Sequence, residues 1–513
     1  MNGRSTIILL AAALTGAVLT AVTPAAAATQ PDNVTTGGFH PRPINWQPCP
    51  ERPNDTTIRC GTLQVPIDWS KPHGATFGLA VARQAAADPS QDRGPLLINP
   101  GGPGGSGVDF ALAASSYFSQ DILDHFDVIG FDPRGVDRSH PIECSADLAA
   151  RQPDPPVPTT QAQYDALLAL NKARGEDCRA HTGPLFDHVD TLSVVHDVDA
   201  IRAALNARQI SYYGVSYGTL IGQEYAEQFP RRIRAMVIDS NMDHSLGTQQ
   251  FLLTEAATDE DSFDQFVAWC DRDTTCALHG RNVDALWDDL MRRADAGTLT
   301  DPTSGAPLTW FDLTSVAVRT FYGPDWQALA QALAELSAQP AKRAYAPGDL
   351  FNDPTAIFCE DWSLPVANYH QLARYFAETA AAAPHLRTSS LGWGVFASCL
   401  NWPTRVNNPQ HELHVHTTIP LLEINSLHDP ATAYAWAVDD AKQLGPRARF
   451  VTYLGWGHGA YGHSDCTITT VDNYLIGTTL PPKGTTCAAV PPPDQKTNTT
   501  LHAPTATRTI LGY

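Results

Sequence analysis

Five residues centred on Ser216 form a pattern in which a serine hydroxyl can act as a nucleophile. The sequence GVSYG at 214–218 lies between a predicted strand, Ile210–Tyr213, and a predicted helix. A serine at a sharp strand-to-helix turn leaves no space for side chains two positions before and after it, so glycine is needed at both. A short pattern of this kind arises by chance in about one chain in ten of this length, so its place after a strand carries more weight. The segment predicts acyl-transfer chemistry.

A serine hydroxyl needs a neighbouring base, and that base needs a carboxylate to orient it. Asp429 follows the predicted strand Ile419–Asn425, and His458 follows the predicted strand Ala448–Leu454. Either residue alone would more often be an ordinary core or surface residue. Their order after the serine, each just past a strand end, predicts a triad in which Asp429 orients His458.

A glycine-rich loop at 99–107 also follows a predicted strand, Pro95–Asn99. Backbone N–H groups of such a loop can stabilise a tetrahedral oxyanion, and the N–H groups of Gly102 and Tyr217 are the expected pair, each worth about 3 kcal/mol in the transition state. The same loop matches the G-x-G-x-x-G dinucleotide fingerprint, with Asp132 at the end of the next strand. The oxyanion hypothesis is favoured, because a nucleotide site would leave the serine and the histidine without a role. We expect no cofactor.

The sequence HELHVH at 411–416 is similar to the H-E-x-x-H motif of zinc proteases. Its second histidine comes three residues after the first rather than four, and the segment lies near a strand rather than within a helix. These residues are therefore interpreted as surface or loop histidines. No C-x-x-C pair occurs in the chain, so a cysteine-zinc site is not expected either, and we predict no metal.

Composition limits the classes of function. The chain has 513 residues, a formal net charge of −20, 17% charged residues and 43% apolar residues. This composition supports a large core and excludes wholesale disorder, and the acidic balance disfavours a nucleic-acid partner. Residues 1–28 read as a signal peptide, with Arg4 before an apolar stretch and small residues at its end; a membrane anchor is the alternative. We expect an exported protein that has no membrane association after cleavage.

Cysteine usage agrees with export, because disulfides persist in oxidising compartments. The ten cysteines are even in number, and pairing each with its nearest neighbour in sequence is a hypothesis that the sequence alone does not prove. This hypothesis gives five bridges: Cys49–Cys60, Cys144–Cys178, Cys270–Cys276, Cys359–Cys399 and Cys466–Cys487.

Strands that alternate with helices position these residues. The alternation from Leu63 to Asp239 predicts a mostly parallel sheet with helices on both faces. The alternation stops near Asp243, where Ala/Leu-rich helical patterns begin, and it resumes at Ile419. The predicted organisation is a signal peptide, one α/β domain in two parts, a large inserted helical lid and a Pro/Thr-rich tail, with the bounds 1–28, 29–243, 244–415, 416–487 and 488–513.

Five segments together resemble the secreted tripeptidyl aminopeptidases of actinobacteria, which are α/β-hydrolase-fold serine peptidases related to prolyl aminopeptidases. The resemblance runs from about Trp46 to Cys487 and rests on the loop 99–107, DPRGVDRS at 132–139, GVSYGT at 214–219, DPAT at 429–432 and GHG at 457–459. It implies an α/β-hydrolase fold and a secreted serine exopeptidase that releases short peptides, expected to be tripeptides, from free N-termini. Pro100, where relatives usually have histidine, and Asp137, where they often have glycine, depart from the family pattern.

The resemblance implies that Ser216 is the nucleophile, Asp429 the orienting acid and His458 the base, with Gly102 and Tyr217 as oxyanion donors. A free N-terminus is cationic and calls for carboxylates near the cleft. The candidates are Glu360, Asp361 and Asp243, for which ordinary surface acids are the competing explanation. Two other functions remain open: a secreted carboxylesterase or lipase with the same triad, and a binding protein that has lost catalysis. The sequence does not indicate the oligomeric state.

Overall fold

A computed structural model describes residues 38–301, 305–337 and 350–492, so the predicted signal peptide and most of the predicted tail lie outside the described residues. The described residues form eleven strands. These are β1 (Ile58–Pro66), β2 (Thr76–Gln84), β3 (Pro95–Asn99), β4 (Asp127–Phe131), β5 (Glu143–Ser145), β6 (Ile210–Val215), β7 (Ile233–Asp239), β8 (Leu350–Asn352), β9 (Leu421–His428), β10 (Ala448–Trp456) and β11 (Thr486–Cys487).

Nine of these strands form one sheet in the order β1-β2-β4-β3-β6-β7-β9-β10-β11. The first two pairings, β1 with β2 and β2 with β4, are antiparallel, and every later pairing is parallel. In a parallel sheet the carboxyl ends of neighbouring strands meet at one edge, where ligands bind in open α/β folds. The strand ends of β3, β6, β7, β9 and β10 therefore bring the loops singled out in the sequence to the same edge.

Sixteen α-helices accompany the strands. They are α1 (Gly107–Leu112), α2 (Ala114–Tyr117), α3 (Gln120–His125), α4 (Ala146–Ala149), α5 (Gln161–Thr182), α6 (Thr191–Ala204), α7 (Tyr217–Gln228), α8 (Thr248–Arg272), α9 (Val283–Asp295), α10 (Trp310–Tyr322), α11 (Trp326–Leu336), α12 (Thr355–Asp361), α13 (Tyr369–Ala382), α14 (Ser390–Cys399), α15 (Tyr434–Leu444) and α16 (Asp465–Gly477).

Both faces of the sheet are buried, which explains why its central strands are mostly apolar. Leu96 and Ile98 pack in the core that includes helices α1–α3 and α16, whereas Leu97 packs in the larger core with α6, α7 and the lid helices. Alternate residues of one strand point to opposite faces, so β3 contributes to both layers. The sheet with helices on both faces confirms the predicted α/β architecture.

Helices α8 to α14 lie between β7 and β9, in the region predicted to be the lid. The sequence shows few strand signals there, yet the structure forms β8, which pairs antiparallel with β5. Helix α5, which precedes the lid in sequence, also packs against it, since Asn171 donates hydrogen bonds to the carbonyls of Ala397 and Leu400. Contacts between α5 and the end of α14 therefore join this helical region to an earlier stretch of the chain.

The ten cysteines lie in five pairs, with S–S distances of 1.89 to 2.08 Å, and the pairs are the same sequential neighbours that the sequence suggests. Two bridges, Cys270–Cys276 and Cys359–Cys399, lie within the region predicted to be the lid, and the other three lie outside it. Among the described residues, no helix combines the length and the apolar character that crossing a bilayer requires.

Candidate active site

Ser216 occupies the sharp turn between β6 and α7. Its backbone has φ +57° and ψ −129°, a conformation that residues other than glycine rarely adopt. The turn is held by hydrogen bonds: the N–H of Ser216 donates to the carbonyl of Asp239, and its own carbonyl accepts from the N–H and the hydroxyl of Thr219. The strained serine is therefore fixed at the sheet edge by the neighbouring strand and by the first turn of α7.

The two glycines of the motif are required by close packing around this turn. A Cβ at position 214 would lie 2.4 Å from the carbonyl oxygen of Gly218. At position 218 it would lie 2.7 Å from the carbonyl oxygen of Asn99, at the end of β3. Both distances are far below van der Waals contact, so any larger residue at either position would displace the serine or the glycine-rich loop.

The glycine-rich loop lies directly against the serine turn. Gly101 has φ +85°, and a Cβ at this position would lie 2.8 Å from the backbone nitrogen of Tyr217 and 2.9 Å from the Cβ of Ser216. The N–H groups of Gly102 and Tyr217 donate no hydrogen bond to another described residue. Gly101 therefore lies against the backbone nitrogen of Tyr217, and the N–H groups of Gly102 and Tyr217 remain candidates for the oxyanion donors.

Asp429 and His458 are in direct contact. The Nδ1 of His458 lies 2.9 Å from Oδ1 and 3.2 Å from Oδ2 of Asp429, which is fully buried. The carboxylate also accepts hydrogen bonds from the N–H groups of Ala431 and Thr432. Burial alone would raise the pKa of Asp429, but the attraction of His458 and these hydrogen bonds outweigh it and hold the pKa below its usual range.

The other ring nitrogen of His458, Nε2, is buried and has no hydrogen-bond partner among the described residues. Since Nδ1 faces the carboxylate, Nε2 is the atom that can accept a proton from a reacting group. The last residue of α10, Tyr322, contacts His458 in two ways. The backbone N–H of His458 donates to the carbonyl of Tyr322 at 2.8 Å, and the Tyr322 ring packs edge-on against the imidazole. The end of α10 therefore helps to hold the histidine.

Asp239, at the end of β7, joins the serine turn to the histidine loop. Its carbonyl accepts from Ser216, and its buried carboxylate accepts from the N–H groups of Ala460 at 2.7 Å and Tyr461 at 2.9 Å and from the hydroxyl of Tyr213 at 2.8 Å. The sequence analysis did not single out this residue. Its signal is a carboxylate at the carboxyl end of the strand beside the nucleophile strand, where α/β folds place functional groups.

The three acids predicted to bind an amine are not surface residues, since all are at most 1% exposed. Asp361 accepts hydrogen bonds from Thr191 and from the hydroxyl of Tyr217, so it supports the residue that follows the serine. One oxygen of Glu360 accepts from the N–H of Val189, and one oxygen of Asp243 accepts from Ser245. Among the residues that the structure describes, the second oxygen of Glu360 and that of Asp243 have no hydrogen-bond partner.

Helix α8 carries a second pair of buried acids, Glu255 and Asp259, hereafter the lid acids. They are 3% and 0% exposed, and among the described residues Oε2 of Glu255 and both oxygens of Asp259 have no hydrogen-bond partner of good geometry, although Ser389, and for Glu255 also the N–H of Gly392, lie close enough to lower the pKa values in part. Burial raises the pKa of Glu255 to about 8 and that of Asp259 well above its usual value, and the charge of Asp429 raises both further. Between them, Thr258 donates to the carbonyl of Asp429 at 2.7 Å. A sequence signal for this pair is two acids four residues apart on the apolar face of a helix.

The loop at 132–139 has a supporting role in the structure. Asp132 accepts hydrogen bonds from the hydroxyl of Ser106 and the N–H of Val108, and thereby fixes the glycine-rich loop at the start of α1. Arg134 is fully buried and forms a bidentate pair with Asp197. These contacts use Asp132 within the fold, where a dinucleotide site would need it free to bind a ribose.

Comparisons with known proteins agree with this geometry. The alpha/beta hydrolase fold family matches residues 94–463. The serine protease Hip1 of Mycobacterium tuberculosis is 31% identical over 482 residues, covering 87% of this chain and 91% of that protein. Carboxylesterase B of the same organism is 32% identical over 483 residues, covering 86% and 90%. The tripeptidyl aminopeptidase of Streptomyces coelicolor is 30% identical over 473 residues, covering 87% and 86%.

Proposed function

The chain belongs to the alpha/beta hydrolase family of serine hydrolases that includes the tripeptidyl aminopeptidases, and on that premise we propose that it is a secreted exopeptidase releasing tripeptides from free N-termini. The observation that carries the proposal is the strained turn of Ser216 together with a histidine whose Nδ1 lies 2.9 Å from Asp429 and whose Nε2 has no hydrogen-bond partner among the described residues. Export is supported by the five disulfides, which are typical of proteins in oxidising compartments.

In the proposed reaction, Ser216 attacks the carbonyl carbon of the third peptide bond, forming a C–O bond. His458 takes the hydroxyl proton on Nε2, while Asp429 stabilises the resulting imidazolium. The negative charge that develops on the carbonyl oxygen is stabilised by the N–H groups of Gly102 and Tyr217. The tetrahedral intermediate then collapses, the C–N bond breaks, and His458 returns its proton to the leaving amine.

Hydrolysis of the acyl-enzyme repeats these steps with water in place of the peptide. His458 removes a proton from water, the hydroxide attacks the ester carbonyl, and the same two N–H groups stabilise the second oxyanion. Collapse releases the tripeptide acid and returns the proton to the serine oxygen. The bonds broken and formed balance without a cofactor or a redox step.

The cationic N-terminus of the substrate needs carboxylates as partners. We assign it to the lid acids rather than to the Glu360–Asp361 pair, because Asp361 is fully engaged in holding Thr191 and Tyr217. The lid acids, in contrast, retain unpartnered oxygens next to Asp429. A substrate ammonium would supply the donors that these oxygens lack, and its charge would favour their ionised form.

Replacing Ser216 with Ala tests the nucleophile. We expect hydrolysis of a tripeptidyl anilide to fall below 1% of the wild-type rate, while the circular dichroism spectrum is unchanged. A fluorophosphonate probe should label the wild-type protein on Ser216 and leave the variant unlabelled. Retention of more than a few per cent of activity, or no label on the wild-type serine, would contradict the assignment.

A substrate panel separates the proposed peptidase from a carboxylesterase, an alternative supported by the 32% identity to carboxylesterase B. Peptides with free and acetylated N-termini and p-nitrophenyl esters should be compared, with products identified by mass spectrometry. We expect tripeptides to be released from free N-termini only. Strong ester hydrolysis without amide hydrolysis would favour the esterase.

Two matched glutamate variants test the amine assignment. E255Q should raise the KM for free tripeptidyl substrates at least about tenfold and leave the KM for acetylated ones unchanged, since a charged hydrogen bond contributes about 1.5–3 kcal/mol. E360Q is the control, because Glu360 is an equally buried lid glutamate with one unpartnered oxygen. If E360Q alone raises that KM, the amine site belongs to Glu360 instead.

A further inference from the structure

Two histidines and two glutamates converge where helix α7 meets the two ends of the lid region. The side chains that form this histidine–glutamate cluster are Glu224, Glu227, His244 and His411. The atoms of Glu224, His244 and His411 that could bind a metal all lie within 4.8 Å of one another. The cluster is distinct from the proposed active site and has no part in the reaction described above.

Several polar atoms of this cluster are buried and have no hydrogen-bond partner among the described residues, which is unfavourable in free energy. Glu224 and His244 are each 1% exposed, and both carboxylate oxygens of Glu224 and the Nδ1 of His244 have no hydrogen-bond partner among the described residues. The Trp362 ring packs 4.9 Å from the imidazole of His244 and helps to exclude water. An ionised buried carboxylate without donors is strongly unfavourable, so it must take up a proton or be balanced by a cation.

The hydrogen bonds of the two histidines define which ring nitrogens carry lone pairs. The Nε2 of His244 lies 2.7 Å from the carbonyl oxygen of Asp361, and the Nδ1 of His411 lies 3.2 Å from the carbonyl oxygen of Pro409. A carbonyl only accepts, so these two nitrogens carry the hydrogens. In the neutral imidazoles the remaining nitrogens, Nδ1 of His244 and Nε2 of His411, therefore present lone pairs to Glu224.

Lone pairs directed at a carboxylate repel it unless a proton or a metal ion lies between them. The Oε1 of Glu224 is 3.6 Å from the Nδ1 of His244 and 3.8 Å from the Nε2 of His411, which is itself 3.0 Å from Oε2 of Glu227. Ligands about 2.0–2.1 Å from a tetrahedral ion are separated by about 3.3 Å. The observed distances are long for a direct N–H to oxygen bond to Glu224 but close to the edges of such a tetrahedron.

We propose that the histidine–glutamate cluster binds one Zn²⁺ ion, which fastens helix α7 to both ends of the lid. Two imidazoles and the carboxylate of Glu224, with Glu227 in contact with His411, suit Zn²⁺ and similar transition metals rather than Ca²⁺ or Mg²⁺. The ring nitrogen of each histidine that does not face Glu224 donates its N–H to a backbone carbonyl, and this arrangement commonly orients metal-bound histidines. The ion would reinforce the direct hydrogen bond between the N–H of His411 and the carbonyl of His244.

The competing explanation is that protons balance the cluster. In the metal-free protein the hydrogen bond to Glu227 raises the pKa of His411 to about 9, so a protonated His411 would pair with that carboxylate. This explanation leaves the Nδ1 of His244 and the carboxylate of Glu224 without a hydrogen bond. The two explanations differ in a measurable property, the stoichiometric binding of zinc.

The test is a zinc titration of the full-length protein, purified without a histidine tag, treated with EDTA and desalted. Isothermal titration with ZnCl₂ should show one saturable site per chain, and Co²⁺ should give the visible absorption of a tetrahedral complex. Zinc should raise the thermal midpoint, and an equal concentration of CaCl₂ should leave it unchanged. Absence of saturable zinc binding to the wild-type protein overturns the proposal, whatever the variants do.

Matched variants locate the site. E224Q and H411Q should each weaken zinc binding at least about 100-fold, since loss of a partner that only orients a ligand already costs 10- to 100-fold. H416Q is the control, because His416 is an exposed histidine of the same segment outside the cluster. If H416Q abolishes binding while E224Q and H411Q retain wild-type affinity, zinc binds at surface histidines and the proposal is wrong. Circular dichroism of each variant distinguishes loss of binding from loss of fold.

Discussion

Two pairs of buried carboxylates lie on either side of the contact between helix α8 and the Asp429 loop, and their surroundings differ. The strand-end acids, Asp239 and Asp429, accept hydrogen bonds from backbone N–H groups and from a histidine or a tyrosine. The lid acids, Glu255 and Asp259, are equally buried but have unpartnered oxygens. This difference supports the proposed roles, in which the strand-end acids position active-site residues and the lid acids bind the cationic N-terminus of the substrate.

The pKa values reflect the same contrast. His458 and its neighbours lower the pKa of Asp429 despite its burial, so it stays ionised at neutral pH. Burial without adequate donors raises the pKa of Glu255 to about 8. Asp239 is intermediate, since burial raises its pKa although its carboxylate accepts four hydrogen bonds. The environment of each carboxylate, rather than its depth in the protein, therefore decides its charge.

The largest expected effect comes from replacing Asp429 with Asn. The amide presents an N–H to the imidazole, favours the wrong tautomer of His458 and cannot stabilise the imidazolium, so kcat for a tripeptidyl anilide should fall by about 10⁴-fold. D440N is the control, because Asp440 is a fully buried acid whose pKa is raised by burial, and its neutral form resembles asparagine. If D429N lowers kcat by less than tenfold, Asp429 does not orient His458 and stabilise its imidazolium as proposed.

Replacing Glu255 with Gln should change the pH dependence of stability. An unfolded glutamate ionises near pH 4.5, whereas Glu255 in the folded protein ionises near pH 8. The group does not affect stability below about pH 4.5, and its contribution becomes unfavourable as the pH rises to about 8, by up to about 5 kcal/mol. The fall in thermal midpoint between about pH 5 and pH 8 should therefore be smaller in E255Q than in the wild type.

The control for that measurement is D271N, which changes an exposed acid near the end of the same helix. It should reproduce the wild-type pH dependence. If the thermal midpoint of E255Q falls as steeply with pH as that of the wild type, the ionisation of Glu255 does not destabilise the folded protein. The two pairs of acids would then not differ in this property.

Replacing Asp239 with Asn tests whether this strand-end acid positions the histidine loop. The amide cannot accept from both Ala460 and Tyr461, so the loop should shift and kcat should fall about 10- to 100-fold, a range expected for small misplacements of catalytic groups. Fluorophosphonate labelling of Ser216 should slow by a similar factor. The control is Y213F, which removes one hydrogen bond to Asp239 and leaves both loop bonds intact. Equal rates of labelling in D239N and Y213F would argue against the positioning role.

Much of the fold could be predicted from the sequence because its signals are local. Predicted strands such as Pro95–Asn99 and Ile233–Asp239 have the same bounds in the structure, since buried parallel strands are short apolar runs that end in loops. The start of β1 was predicted at Leu63, but the strand begins at Ile58. Its first residues, Ile58 to Thr62, are partly polar and are held by pairing with β2, which the pattern within one strand does not show.

The parts that could not be predicted depend on distant residues. Nothing in the spacing of the segment 411–416 shows that His411 meets His244 and Glu224, so its histidines were interpreted as surface or loop residues. The lid acids have the same limitation, because their proximity to Asp429 depends on how α8 crosses the sheet edge. For Glu360, Asp361 and Asp243 the sequence leaves open whether they bind an amine or are ordinary surface acids, and their burial at 1% exposure or less follows from packing that the sequence does not show.

The smallest predicted effect concerns the contact between the two pairs of acids. T258V removes the hydrogen bond from the lid helix to the carbonyl of Asp429, which should cost about 1 kcal/mol of stability and lower kcat by about threefold. T254V, one turn earlier, removes a comparable bond to Trp436 on α15 and should cost similar stability without changing kcat. The two variants should therefore lose similar stability, but only T258V removes a contact with the Asp429 loop. If both lower kcat equally, the lid acts on the site only through overall stability, and the proximity of the lid acids to Asp429 has no catalytic consequence.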